Sequence, residues 1–117
     1  MAKTEIIFGE LSGGGKVAMG FLPTVSSTSG KITTNFEPKK IVVKARYSSG
    51  SVYDDFLTYD VDDGGTYKMW ESSGNSTASS TPQSYSVGSS LLGAVNTDGF
   101  TLNFPSNIFN VGYMAWG

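Results

Sequence analysis

Apolar and polar residues alternate along most of this chain with a period of two, and no window sustains a 3.6-residue apolar period. The alternation predicts short strands. Glu5–Phe8 and Lys16–Leu22 are the first two, separated by the flexible Ser12-Gly13-Gly14-Gly15. Lys31–Thr34 is a short third. The clearest strand is Lys40–Tyr47, in which Ile41, Val43, Ala45 and Tyr47 point one way while Val42, Lys44 and Arg46 point the other, so that one face is core and the other mostly solvated. Ser48–Ser51 reads as a turn, Val52–Val61 as the returning strand, and Asp62-Asp63-Gly64-Gly65 carries the Asp-Gly signal of a tight hairpin leading into Thr66–Glu71. Ser72–Ser84 is polar and rich in Ser and Thr, and is predicted as a long exposed loop. Tyr85–Val87, Leu91–Val95, Gly99–Phe104 and Phe109–Trp116 close the chain, the last two joined by a turn at Pro105-Ser106-Asn107. Phe100, Leu102 and Phe104 share one face of their strand, as do Phe109, Val111, Tyr113 and Ala115 of theirs.

Many short strands with turn signals between them predict an all-β fold, an antiparallel β-sandwich of jelly-roll or lectin-like type in a single domain. Its 117 residues suffice for one domain with a core of its own. Fifteen glycines against four prolines, with an aromatic share of 13%, fit strands joined by frequent turns. Residues 1–30 are expected to form N-terminal strands and an anchoring segment with a Gly-rich linker, and residues 31–117 the sandwich proper.

The chain has neither cysteine nor histidine. Disulfides, thiolate zinc sites and Ser-His-Asp or Cys-His catalysis are thereby excluded within it. Lack of cysteine suits folding in a reducing cytoplasm. No signal peptide is expected at Met1–Glu5, and no apolar run approaches the roughly 20 residues that span a bilayer, so no membrane insertion is expected. A net charge of −2 argues against nucleic acid, and Lys39, Lys40, Lys44 and Arg46 read as the solvated face of a strand.

Five motifs invite chemistry. Asp60, Asp62, Gly65 and Glu71 fall on four positions of the EF-hand calcium loop, but Gly64 stands where a ligand is needed and the flanks read as strands, so no metal is expected. Asp54 and Asp55 are sequence neighbours on a strand and point to opposite faces, which does not make the facing carboxyl pair of a glycosidase. With no base, nucleophile or cofactor motif, the chain is expected to be non-enzymatic and to need no cofactor. Ser12–Lys16 lacks the P-loop pattern, and the Asn75-Ser76-Thr77 sequon means little without a secretion signal. Sugar rings stack on Trp and Tyr while carboxylates bind their hydroxyls, which makes Tyr67, Trp70, Asp62 and Asp63, beside the polar loop, the candidate saccharide contacts. Positions 67 and 70 differ by an odd number, so a regular strand sends one of the two rings into the core.

Two stretches carry a family resemblance. Asn35-Phe36-Glu37-Pro38-Lys39-Lys40-Ile41-Val42-Val43 resembles the strand opening of small β-sandwich domains in bacteriophage tail and virion surface proteins. Asn96–Leu102 and the terminal Tyr113-Met114-Ala115-Trp116-Gly117 resemble their ending, and the pattern is more distantly similar to H-type lectin domains. The likeness spans residues 30–117. It departs at Asn35, where a Gly is usual, although Asn tolerates left-handed geometry. The matching positions are structural: Pro38 opens a strand, Gly99 permits a bend, and Phe100 and Ala115 pack inward. No sugar-contacting residue carries over.

The resemblance implies a virion location, with folding in the host cytoplasm and exposure on the particle surface. It also implies other tail or capsid proteins as partners, a homotrimer, and host cell-surface polysaccharide as ligand. The leading expectation is a tail, baseplate or fibre module that contributes to host attachment through receptor binding. The alternative is a capsid decoration or head-fibre protein that binds the capsid without a small ligand. A secreted glycan hydrolase is disfavoured by the missing base and signal.

Overall fold

The computed structural model describes residues 5–10, 15–24, 29–49, 51–73, 82–89, 91–103 and 108–117. Outside them lie Ser12–Gly14 of the Gly-rich linker, the middle of the expected polar loop with its Asn75 sequon, Phe104, and the Pro105-Ser106-Asn107 turn. Ten strands follow in order: β1 Glu5–Glu10, β2 Lys16–Thr24, β3 Ser29–Thr33, β4 Lys40–Ser49, β5 Ser51–Asp60, β6 Thr66–Ser73, β7 Gln83–Ser86, β8 Leu92–Asn96, β9 Gly99–Asn103 and β10 Ile108–Trp116.

These strands form two antiparallel sheets, one of seven strands in the order β1-β2-β10-β4-β5-β6-β7 and one of three in the order β3-β9-β8. The fold is the expected all-β sandwich. Alternation along each strand decides what goes inside. Ile41, Val43 and Ala45 of β4, Leu57 of β5, Tyr67 and Met69 of β6, and Val111, Tyr113 and Ala115 of β10 face Ile32, Leu92, Phe100 and Leu102 of the small sheet in one cluster. The Phe100 and Tyr113 rings meet edge to face across it, centroids 5.7 Å apart. Phe109 also belongs to β10, but its side chain lies outside the described residues.

β1 and β2 belong to the large sheet. β2 pairs with β10 from Thr24–Phe109 to Val17–Trp116, and its Ala18 and Leu22 are buried. β2, in the stretch expected to hold N-terminal strands and an anchoring segment, thus contributes Leu22 to the core cluster.

The segments that carry the family resemblance converge at one end of the sandwich. The Thr34 and Asn35 amides donate to the Asp98 carbonyl at 2.9 and 3.2 Å, Lys39 N–H donates to Trp116 O at 2.7 Å, and Gly117 N–H donates to Lys16 O at 2.9 Å. Asn35 takes a φ of 66°, the left-handed geometry a Gly would otherwise supply. Gly99 serves a close approach: a Cβ there would stand 2.0 Å from the Ile32 carbonyl oxygen, so only Gly lets β9 lie this near β3.

Two local features depart from simple alternation. The β5–β6 connection is a 3₁₀ turn, Val61–Asp63, in which Asp60 accepts a hydrogen bond from the Asp62 amide at 3.0 Å and Gly64 closes the turn at φ 70°. It is longer than the two-residue turn that Asp-Gly suggests, because the Asp60 side chain caps the extra turn. In β10 the register with β4 shifts between Phe109 and Gly112, where Asn110 has a φ of 52°, which is a β-bulge.

Candidate functional site

Three strands cover one face of a seven-stranded sheet, and no described element covers the other. The same alternation that fills the core fixes what this outer face presents. Inward Val111, Tyr113 and Ala115 leave Gly112, Met114 and Trp116 outward, and inward Ile41, Val43 and Ala45 leave Val42, Lys44 and Arg46 outward. Leu57 and Tyr59 inward leave Phe56, Thr58 and Asp60 outward, and Tyr67 and Met69 inward leave Lys68 and Trp70 outward. Phe21 and Phe56 are 47% and 40% exposed. The face expected to be mostly solvated is therefore half apolar.

Strand pairing sets the rows of this face. Trp116, Lys40 and Asp60 share one row, Met114, Val42, Thr58 and Lys68 the next, and Gly112, Lys44, Phe56 and Trp70 the third. Phe56 and Trp70 are cross-strand neighbours with ring centroids 5.6 Å apart, tilted by 58°. A groove of about 820 Å³ runs over these rows, with Trp116 and Trp70 on its walls, Val42 and Thr58 on its floor, and Lys40, Asp60, Asp63, Lys68 and Pro82 around it. An adjoining apolar groove of about 410 Å³ is lined by Met19, Phe21, Val42 and Met114.

The four predicted contacts separate. Trp70 is half-buried in the groove wall and Asp63 lines the groove. Asp62 is exposed on the same 3₁₀ turn but is not part of the lining. Tyr67 is fully buried, stacked on Tyr85, with its hydroxyl donating to Ser89 O, and it presents no surface to a ligand. The parity argument places one of the two rings in the core, and that ring is Tyr67. Trp116, Lys40, Asp60 and Lys68 complete the groove. The signal for Trp116 was its place one residue beyond inward Ala115.

A carboxyl pair occupies the inner face at the far end of the β5–β6 hairpin. Asp55 and Glu71 are register partners, and Asp55 is only 6% exposed. Burial, then the hydrogen bond and charge of Glu71, then the charge of Asp54, push the Asp55 carboxyl up to about 7. Asp54 points outward, where Arg46 Nε donates to it at 2.8 Å and holds it below the ordinary carboxylate range. Neighbouring Asp54 and Asp55 thus occupy opposite faces, as alternation requires. The Asp55 and Glu71 carboxyls are hydrogen-bonded neighbours and leave no room between them for a glycosidic bond.

Among the described residues no group of three or more Asp or Glu gathers as a cation site, and no helix is long and apolar enough to cross a membrane. Searches of family models, curated proteins and solved structures find no match to this chain.

Proposed function

We propose that this chain is a non-enzymatic surface module of a bacteriophage particle that binds host saccharide in the outer-face groove. The groove between Trp70 and Trp116 carries the reading: two indole rings flank a floor of Val42 and Thr58, with carboxylates and ammonium groups at the rim. Apolar walls with a few polar groups suit sugar rings, whose C–H faces stack on indole while their hydroxyls bond the rim. The particle setting rests on the resemblance of residues 30–117 to small sandwich domains of phage tail and virion proteins. A homotrimer exposed on the virion would add avidity to a weak site.

A second reading is favoured by one observation. The apolar groove at Met19, Phe21, Val42 and Met114 offers few polar groups to a sugar and would suit another virion protein, as in a capsid decoration or head-fibre subunit. A glycan array with the intact chain, Trp70→Ala and Trp116→Ala separates the two. Saccharide binding is expected in the intact chain and weaker in either variant by about fivefold, the loss of a stacking partner worth on the order of 1 kcal/mol. Both variants should keep the far-ultraviolet spectrum of the parent. An intact chain that binds no glycan would leave the decoration reading standing.

A further inference from the structure

Building on the saccharide reading, we infer that the occupant is an extended, negatively charged oligosaccharide lying diagonally across β10, β4, β5 and β6. Two independent features lead there. The first is the spacing of the two indoles. Trp116 lies in the Lys40–Asp60 row at one side of the groove, and Trp70 lies in the Lys44–Phe56 row at the other. Three strand intervals and four residues of rise separate their backbones by roughly 20 Å. Both side chains line the same groove. One sugar ring cannot stack on both, whereas a chain of several rings can engage them together across Val42 and Thr58.

The second feature is charge. Arg46 is bonded to Asp54, and Lys40 lies 3.9 Å from Asp60. Lys44 and Lys68 have no ion-pair partner among the described residues, Lys44 adding only a longer-range pull on Asp54. In the strand register Lys68 stands beside Thr58 within the groove, while Lys44, one row on from Val42, lines the adjoining apolar groove, so the two residues stand on opposite sides of the diagonal. The chain as a whole carries a net charge of −2, yet this face holds Lys40, Lys44, Arg46 and Lys68 against Asp54 and Asp60, with Asp63 at its margin. Carboxylates carried on the two sides of a glycan lying along the diagonal would meet Lys44 on one side and Lys68 on the other, with its rings on the indoles at either end.

The test is a calorimetric titration of the intact chain with oligogalacturonates from one to six residues, and with neutral galactan oligomers of the same lengths. The acidic ladder is expected to bind, with affinity rising steeply once the chain is long enough to reach both indoles and falling as salt is raised. Lys44→Gln and Lys68→Gln should each weaken the acidic hexamer by about tenfold, as loss of a charge-assisted hydrogen bond does, and weaken the neutral hexamer by much less. Binding that favours the neutral ladder, or that is equal for monomer and hexamer, would overturn this inference and leave the saccharide reading intact. No binding to either ladder, with Trp70 and Trp116 becoming shielded from acrylamide as protein concentration rises, would overturn both and assign the face to a second copy of the chain.

Discussion

Asp55 is the residue whose chemistry the fold alters most. Its ordinary carboxyl titrates near 3.8, and its place beneath the sheet beside Glu71 raises this to about 7. The fold therefore favours the neutral acid. This contribution to stability is fully present below the unfolded value near 4, is lost as pH rises towards 7, and stays lost above it. At about 1.4 kcal/mol per unit, the loss amounts to a few kcal/mol. Asp55→Asn, a neutral isostere, is expected to melt close to the parent at pH 4.5 and clearly above it at pH 8; equal melting temperatures at pH 8 would show that the fold does not raise the Asp55 carboxyl. The carboxyl pair was not legible in the sequence, because Glu71 lies sixteen positions from Asp55 and only the hairpin register brings them together. Tyr67 and Trp70 show how far parity reaches at this scale. An odd spacing separates the two rings to opposite faces, but which face is core depends on the neighbouring strands.

Among the elements, legibility follows the strength of the alternation. Residues 40–47 read as a strand because every second position is apolar, and β4 extends that reading only to Ser49. The Ser-rich stretch after Glu71 was expected to be loop from Ser72, yet β6 runs to Ser73, since pairing with Tyr53 and Asp54 of β5 outweighs weak local preference. The β10 bulge leaves no such trace, because one extra residue shifts the register with β4 without disturbing the burial of Val111, Tyr113 and Ala115. Gly99 was read as permitting a bend, whereas its role is the contact with the Ile32 carbonyl, which no local pattern reveals. The β3–β9 pairing should therefore be sensitive to one methyl group. Gly99→Ala forces the two strands apart and is expected to cost on the order of 3 kcal/mol, read as a lower urea midpoint. An unchanged midpoint would show that β3 is held to β9 by something other than this close approach.

For the whole molecule, the question is whether the first two strands are an appendage or a structural part of the sandwich. Sequence alone divides the chain near residue 30, because Ser12–Gly15 resembles a linker and the family resemblance begins there. Long-range pairing, invisible to any local pattern, joins what the glycines separate. β2 lies between β1 and β10, so removing residues 1–24 would turn the longest patterned strand of the C-terminal half into an open edge. It would also uncover Ala18 and Leu22, the latter alone worth about 1.5–3 kcal/mol of apolar burial, and break the Gly117–Lys16 hydrogen bond. A domain of this size has a total stability of only about 5–15 kcal/mol, so losses of this kind add up to much of it. Residues 25–117 alone are therefore expected to lose the single sharp thermal transition of the full chain and to associate through the exposed β10 edge, seen as a broadened melt and a larger species in sedimentation. A truncated chain that melts as sharply and as high as its parent would establish that residues 25–117 fold by themselves and that β1 and β2 are an addition to a complete sandwich.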